Sequence, residues 1–456
     1  MTDPLHGQHI LIVGFARQGR ALARWLPTVG ARVTVSDGKS AQQLGVDAAD
    51  YPGVTMALGH QDDALLDGVD ALCISGGVPL DAPLIQAAQT KGIPLTNDAQ
   101  LFLERCPAPV IGITGSAGKT TTTSLTGEIV RRAGHRTWVG GNIGDVLLDV
   151  LPLIRPTDRV VMELSSFQLE LMTVSPDVAA VLNITPNHLD RHGTMDNYTR
   201  AKAHILAHQQ ERTSVAVLGR DDAGSRGLAE QVHGRLVWFS AREMVNDGAF
   251  LAGQRLVLTG LCSPDRSPHV VGERGEIQLR GDHNVLNVLA ACALTGAISV
   301  RPDVMMAAVR EFRGVAHRLE VVREVDGVTW VNDSIATAPE RVTAALRSFC
   351  EPTVLLLGGR DKKLPWDDMI ALALRVCRRI IAFGEAGDLV AEAVERVSRG
   401  ESAAVRVSTL AEAVDEAHRL AQPGDVVLLS PGATSYDAYP DFAARGEEFR
   451  ELVHRL

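Results

Sequence analysis

The sequence predicts an α/β protein of three domains, each built on a largely parallel sheet. Three observations predict it. Short β-branched runs alternate with helical stretches along the 456 residues. Polar, glycine-bearing segments follow those runs, at what would be the carboxyl edge of a parallel sheet, where open α/β sheets bind ligands. The length exceeds one core, because roughly 150 residues per domain gives about three domains. Boundaries are expected at 1–107, 108–314 and 315–456.

Composition narrows the class. Apolar residues make up 45% and charged residues 22%, as in soluble globular proteins, and aromatics at 4% leave the core to Val, Leu, Ile and Ala. A net charge of −10 speaks against nucleic acid as the main partner. Cys73, Cys106, Cys262, Cys292, Cys350 and Cys377 are far apart, with no C-x-x-C pair, and read as buried free thiols in a reducing cytoplasm. The opening MTDPLHGQHILIVGF lacks the pattern of a secretory leader. No apolar run approaches the ~20 residues that span a bilayer.

In the first domain the strand Ile10–Val13 runs into Gly14-Phe15-Ala16-Arg17-Gln18-Gly19 and an amphipathic helix to Leu26. A second strand, Ala31 to Val35, ends at Asp37, and further strands are expected at Ala71 to Ser75 and Pro94 to Thr96. Gly14 to Gly19 followed by Asp37 resembles a dinucleotide fingerprint, which would make the chain an NAD oxidoreductase. Ala16 stands in place of the middle glycine and weakens that reading. Gly76-Gly77 should face the same sheet edge. Two prolines in Arg105-Cys106-Pro107-Ala108-Pro109 mark a boundary.

The second domain opens on the strongest motif. The run Val110–Ile113 delivers the chain to Thr114-Gly115-Ser116-Ala117-Gly118-Lys119-Thr120-Thr121, and a helix follows through Val130. Gly115 and Gly118 let backbone N–H groups converge on an anion at a helix N-terminus. Lys119 can reach β- and γ-phosphates, and Thr120 or Thr121 can ligate Mg²⁺. Ile113 replaces the first glycine of the widest pattern, so the loop is a shorter Gly-x-x-Gly-Lys-Thr variant. Strands are expected at Val160–Glu163, Val178–Asn183 and Ser214–Leu218. The stretch 241–280 should be irregular or antiparallel, and His283–Ile298 helical.

Glu163, ending its strand before Leu164-Ser165-Ser166-Phe167-Gln168, is placed to hold Mg²⁺, although a capping glutamate would look the same. His188, in Asn183-Ile184-Thr185-Pro186-Asn187-His188-Leu189-Asp190-Arg191-His192, is a candidate ligand or an ordinary structural histidine. Lys202 reads by default as a surface lysine on a helix. Asn284 and Asn287 share a helix face and can read an adenine edge or a ribose, or cap the helix.

In the third domain strands are expected at Val328–Asn332, Val354–Leu357, Arg379–Phe383 and Val426–Leu429. Arg318 can neutralise a phosphoryl group, and Asp333 can bind ribose hydroxyls or order Arg318. Gly358-Gly359-Arg360-Asp361-Lys362 and Ser430-Pro431-Gly432-Ala433-Thr434-Ser435 are plausible anion cradles. Polar loops after successive strands, beside a phosphate loop, indicate an enzyme. A nucleotide-binding switch without chemistry would leave the third domain's loops unexplained.

TGSAGKTT, GNIG, ELSSFQLE, NITPNHLDRH, GDHNVLN, AHRLE, NDSIAT, GGRDKK and SPGATSYDAYPDFAARGEEF stand in the order seen in the Mur ligases of peptidoglycan synthesis. The chain resembles that family over nearly its whole length. Folylpolyglutamate synthetases share the general architecture but resemble these motifs less. The resemblance implies a Rossmann-like N-terminal domain for a UDP-linked substrate, a central P-loop ATPase domain and a C-terminal Rossmann-like domain for an amino acid. It implies a cytoplasmic, monomeric enzyme whose partners are small molecules. ELSSFQLE and the C-terminal run point to the branch that joins D-glutamate to UDP-N-acetylmuramoyl-L-alanine, through an acyl phosphate, leaving ADP and phosphate. The same acceptor with L-glutamate, or another Mur-type or folylpolyglutamate-type ligase, is the alternative. Closure of the domains around an acyl phosphate is expected.

By resemblance Gly115, Ser116, Ala117, Gly118, Lys119, Thr120 and Thr121 cradle ATP. Asn284, Asn287, Arg318 and Asp333 are the other nucleotide contacts. Thr120 or Thr121 with Glu163 holds one Mg²⁺, and His188 with a carbamylated Lys202 a second. Arg17, Gln18, Gly38, Lys39 and Ser75 align with the uridine-phosphate site. Asn142 and Ser165 position substrate, and Thr337, Lys362, Ser435 and Phe442 form the glutamate pocket. Two departures stand out. Ala117 replaces a common asparagine, which a backbone cradle tolerates. Ile335 replaces the lysine of NDSKAT, which removes a cation near the amino-acid site and leaves glutamate to Lys362 and hydrogen bonds.

Overall fold

The computed structural model describes residues 2–144, 146–401 and 403–456. They form two compact units. One comprises Met1–Gln278 with Asp282–Glu311, the other Leu279–Gly281 with Phe312–Leu456.

The first unit carries two sheets. Strands β1 (His9–Val13), β2 (Arg32–Asp37), β3 (Val54–Leu58), β4 (Ala71–Ile74) and β5 (Leu95–Thr96) pair in parallel in the order β3-β2-β1-β4-β5. Central β1 is apolar on both faces, as a covered parallel strand must be, with Ile10 to Val13 buried. The β3 strand was not foreseen. It is a half-exposed edge whose pattern lacks the apolar run of β1.

The second sheet has β6 (Val110–Thr114), β7 (Thr137–Gly141), β8 (Arg159–Glu163), β9 (Val178–Val181), β10 (Val215–Gly219), β11 (Arg235–Ser240), β12 (Gly248–Ala252), β13 (Arg255–Thr259) and β14 (His269–Glu273). Their order is β14-β13-β12-β11-β10-β9-β6-β8-β7. The pairs from β7 to β12 are parallel, and β12-β13-β14 is an antiparallel extension. The stretch 241–280 is thus antiparallel rather than irregular, and β9 stops at Val181, leaving Asn183 in the following loop. The helices Lys119–Arg132 and Asp282–Ala297 pack against each other. One apolar cluster runs through both sheets, from Ile10 and Phe102 to Val160 and Ile205, so the connection at Cys106–Pro109 lies inside one compact unit.

The second unit carries β15 (Glu320–Val325), β16 (Val328–Asn332), β17 (Thr353–Gly358), β18 (Cys377–Phe383), β19 (Val405–Arg406) and β20 (Val426–Gly432), in the order β15-β16-β20-β17-β18-β19. All pairs are parallel except the β15-β16 hairpin. Apolar clusters cover both faces of this sheet. In each sheet the strand order reverses beside a central strand, β1, β6 or β20. That switch point opens a crevice at the carboxyl ends of the strands. Cys73, Cys262 and Cys292 are buried free thiols, as expected, whereas Cys350 is exposed.

Candidate active site

The β6–helix turn is built as an anion cradle. Gly118 is the N-cap of Lys119–Arg132 with φ +83°, and a Cβ there would collide with Asn287 Oδ1. Asn183, in the loop after β9, holds the cradle from the side. Its Oδ1 accepts from Ala117 N at 2.8 Å and its Nδ2 donates to Ala117 O at 3.1 Å, while Ser116 N donates to Asn183 O at 2.9 Å. The Ser116 hydroxyl donates to Thr185 O at 2.9 Å and lies 3.0 Å from the Tyr198 hydroxyl. Lys119 Nζ folds back onto Gly115 O at 2.8 Å, a position from which it can exchange a carbonyl for phosphate oxygens. Ala117 is exposed and only its backbone is engaged.

Glu163, 2% exposed at the end of β8, joins this loop to the next. Thr120 Oγ1 donates to its Oε2 at 2.9 Å, and Asn142 Nδ2 to its Oε1 at 2.9 Å. Of the two threonines the sequence left open, Thr120 is the one bonded to the carboxylate, and Thr121 is the next residue of the same helix turn. Thr122 Oγ1 and Asn287 Oδ1 are 3.4 Å apart, and Asn287 Nδ2 donates to Asn284 Oδ1 at 2.9 Å. The two asparagines therefore back the phosphate loop.

Lys202 corrects an expectation. On the helix Met195–Ala207 it is 1% exposed, not a surface lysine. Its Nζ donates to Gly115 O at 3.0 Å and Thr114 Oγ1 at 3.3 Å and lies 4.7 Å from the Tyr198 ring. Burial, aided by nearby Lys119 and opposed by Glu163, holds its pKa well below the usual lysine range. His188 reaches this neighbourhood along a string of rings. It lies 5.2 Å edge-on from Phe167, which stacks on His192 at 5.2 Å, which in turn is 5.2 Å from Tyr198. His192, not singled out from sequence, is buried with Nε2 2.9 Å from Ser166 Oγ. Among the described residues no cluster of three or more His, Cys, Asp or Glu side chains forms a ready-made metal site.

The oxygens of Thr120 and Glu163, at a phosphate cradle, are the hard donors Mg²⁺ takes alongside phosphate and water. The Lys202 amine, donating to a carbonyl and a hydroxyl, is not a metal ligand in that form.

At the first sheet Asp37 ties two loops, accepting from Phe15 N at 2.8 Å and Lys39 N at 2.9 Å. Gly14, φ +92°, packs where a Cβ would strike Val78. Gly38 and Lys39 are exposed, Gln18 half-buried and Ser75 buried. Arg17 does something the sequence did not suggest. It donates to the carbonyls of Gly144 at 2.6 Å, Asn142 at 3.0 Å and Gly141 at 3.3 Å, so it braces the loop that carries Asn142. The Ser165 hydroxyl closes a capping box with Gln168.

In the second unit, Arg318 sits between two left-handed residues, His317 at φ +63° and Leu319 at φ +45°. Such a turn needs external support. Glu320 accepts from His317 N at 2.8 Å and Asp333 from Leu319 N at 3.2 Å. Asp333 also accepts from Ser430 Oγ at 2.8 Å, and burial pushes its pKa up to about 7. Lys362 Nζ donates to Thr337 Oγ1 at 3.1 Å. Phe442 lies edge-on to His317 at 6.1 Å, and Ser435 is buried. Arg445, also missed from sequence, is fully buried. It donates to Ser334 Oγ and O at 3.0 Å each, to Ala433 O and Thr434 O at 3.2 Å each and to Gly358 O at 3.4 Å, and so binds the loops after β16, β17 and β20.

A phosphate loop closed onto a strand-end glutamate defines a nucleotide-binding α/β enzyme. Comparison with known proteins gives the family. The Mur ligase MurD-like N-terminal domain matches residues 8–97, the Mur ligase middle domain 113–295, and the Mur ligase glutamate ligase domain 317–432. The chain is 37% identical over 460 residues to a UDP-N-acetylmuramoylalanine--D-glutamate ligase of Clostridium botulinum (strain 657 / Type Ba4), covering 100% of this chain and 98% of that one. It is 38% identical to the protein of that name from Pelotomaculum thermopropionicum, covering 98% and 97%. Solved structures share the fold. The UDP-N-acetylmuramate-alanine ligase MurC of Thermotoga maritima gives a TM-score of 0.56 at 18% identity, covering 99% of this chain and 100% of that one. MurF of Acinetobacter baumannii gives 0.58 at 19%, covering 96% and 93%. The chain belongs to the Mur ligase family, whose members use ATP, and within it to the MurD type.

Proposed function

We propose that the protein is an ATP-dependent ligase that joins D-glutamate to UDP-N-acetylmuramoyl-L-alanine in peptidoglycan precursor synthesis. The ATP-dependent part of this reading rests on the Thr120–Glu163 bond at 2.9 Å, which brings an oxygen pair to the phosphate cradle, and the substrates rest on the full-length likeness to ligases of that specificity. The acceptor carboxylate attacks the γ-phosphorus of ATP, and the bond to the β,γ-bridging oxygen breaks. The amine of glutamate then adds to the acyl phosphate carbon. The adduct loses phosphate and a proton and leaves an amide.

The chain's own groups have defined tasks. Two anions must approach, so cations have to offset their repulsion. Lys119 leaves the carbonyls of Gly115 and Ser116 for phosphate oxygens. Asn142 fixes the Glu163 carboxylate and is itself braced by Arg17. Thr120 and Glu163 would hold one Mg²⁺, which would neutralise phosphate charge when bound. A second ion held by His188 and Lys202 would require the Lys202 amine to be carbamylated first. Its burial and the absence, among the described residues, of a carboxylate within ion-pair distance favour the neutral amine that carbamylation needs. In the second unit Arg318 and Asp333 serve the nucleotide, and Thr337, Lys362, Ser435 and Phe442 the amino acid. No helix among the described residues is long and apolar enough to cross a membrane. A cytoplasmic, monomeric enzyme acting on nucleotide-linked substrates is part of the same proposal.

The test is phosphate release with UDP-N-acetylmuramoyl-L-alanine, ATP and Mg²⁺, run in parallel with D- and L-glutamate. Release dependent on D-glutamate is expected. Release with L-glutamate alone would keep the fold and chemistry and move the specificity, the alternative that Ile335 motivates. Release with neither would reject the proposed substrates.

A further inference from the structure

We infer that Arg341 supplies the cation that Ile335 lacks, and that it binds the second carboxylate of the incoming glutamate. The inference rests on the reading of the second unit as the glutamate-binding part of a ligase, and it names a residue that reading does not contain.

Ile335 begins the loop Ile335-Ala336-Thr337, which leaves the carboxyl end of β16. Pro339 then starts the helix Pro339–Leu346, and Arg341 lies in its first turn. Instead of pointing away along the helix, the Arg341 side chain turns back. Its Nη1 donates to Ile335 O at 3.3 Å, sharing that carbonyl with Thr337 N at 2.9 Å. From the other side Lys362, after β17, donates to Thr337 Oγ1 at 3.1 Å. Two cations from separate elements thus flank one three-residue loop. The guanidinium reaches the backbone of the very residue whose lysine is missing.

Both cations are exposed, and among the described residues no carboxylate lies within ion-pair distance of either, in a chain of net charge −10. Arg341 sits near enough to help burial depress the Lys362 pKa, against the opposing pull of Glu340. The carboxylate of Asp361 faces other groups, the Trp366 indole at 3.1 Å and Lys363 N at 2.8 Å. Asp333 is turned to Ser430 and Leu319. Glu340 acts on Lys362 and Asp333 on Arg341 only at longer range, so the two cations keep hydrogen-bonding capacity for a carboxylate placed between them. Any amino acid brings one carboxylate. A second cation beside Lys362 is useful for an amino acid that brings two, and a guanidinium can take that group through two parallel hydrogen bonds.

The experiment is steady-state phosphate release by wild type, Arg341→Ala, and Arg341→Ala combined with Ile335→Lys, with D-glutamate or D-glutamine as the amine. Arg341→Ala should raise KM for glutamate at least about tenfold, leave KM for ATP within about twofold, and erase most of the preference for glutamate over glutamine. Ile335→Lys in the same chain should restore KM for glutamate to within about threefold of wild type, which a loss of helix or loop structure would not allow. An unchanged glutamate KM in Arg341→Ala, a parallel rise in the ATP KM, or failure of the added lysine to rescue overturns the inference. Wild type that releases no phosphate with glutamate overturns the parent reading, and this one with it.

Discussion

Lys202 shows how much a single side chain depends on its surroundings. In Tyr198-Thr199-Arg200-Ala201-Lys202 nothing distinguishes it from a solvent-facing lysine, because the cause of its burial lies in other elements. The nitrogen is held against Thr114 and Gly115 of β6 and the following turn, under the Tyr198 ring. A depressed lysine pKa means the folded state binds fewer protons, so the neutral amine is populated at lower pH than in the unfolded chain. A neutral amine adds to CO₂, forming an N–C bond and releasing one proton. Protein equilibrated with ¹³C-bicarbonate should therefore show a carbamate resonance that grows with pH and is absent from Lys202→Arg. Its absence from the wild type would leave the second metal site without one of its ligands. The same locality explains Arg341 and Arg445. The missing cation at Ile335 was legible, but its replacement six residues on depends on a helix turn that folds the side chain back.

At the scale of elements, the strands with apolar or β-branched runs were legible: β1, β2, β4, β5, β6, β8, β9, β10, β16, β17, β18 and β20. Those that escaped are β3, β7, β11, β15 and β19. Val54–Leu58 and Glu320–Val325 are half-exposed edges, Thr137–Gly141 ends in two glycines, and Val405–Arg406 spans two residues, so these four carry no buried run to read, whereas Arg235–Ser240 holds the apolar Leu236-Val237-Trp238-Phe239 and was simply missed. The site loops were legible because they follow buried strands and carry glycine, hydroxyl and charged groups. What binds those loops together was not. Arg445 is the case in point, a side chain from the helix Phe442–Arg455 that satisfies carbonyls at or just past the ends of three different strands. Burial lowers its pKa to about 10, opposed by the nearby Asp437 carboxylate, which leaves it charged at neutral pH, and carbonyl oxygens take its hydrogen bonds. Lysine has three donors on one nitrogen and cannot span these positions. Arg445→Lys should lower stability by roughly 2–4 kcal/mol, the cost of leaving buried carbonyls unpaired. It should raise KM for glutamate more than KM for ATP. Unchanged thermal stability would mean the loops hold themselves in place.

Over the whole molecule, each unit has its own buried clusters, so a stability change can be assigned to one of them. Asp98 offers a clean case. It opens the helix Asp98–Arg105 in the first unit, 3% exposed, accepting from Gln168 Nε2 at 3.3 Å, and burial raises its pKa from 3.8 to about 6. With the folded pKa above the unfolded one, the folded state binds more protons between those values, so stability falls as pH rises through that window. The full penalty is present above about pH 6 and absent below the unfolded value; two pKa units correspond to roughly 3 kcal/mol. Asp98→Asn keeps an oxygen for Gln168 and removes the titration. Its advantage should therefore be a few degrees of melting temperature at about pH 8, shrinking toward nothing near pH 4. Where calorimetry resolves two transitions, only that of the first unit should move, because Asp98 lies in that unit. An equal gain at both pH values would show that shape, not charge, sets the cost at Asp98. Movement of both transitions together would show that the two units unfold as one.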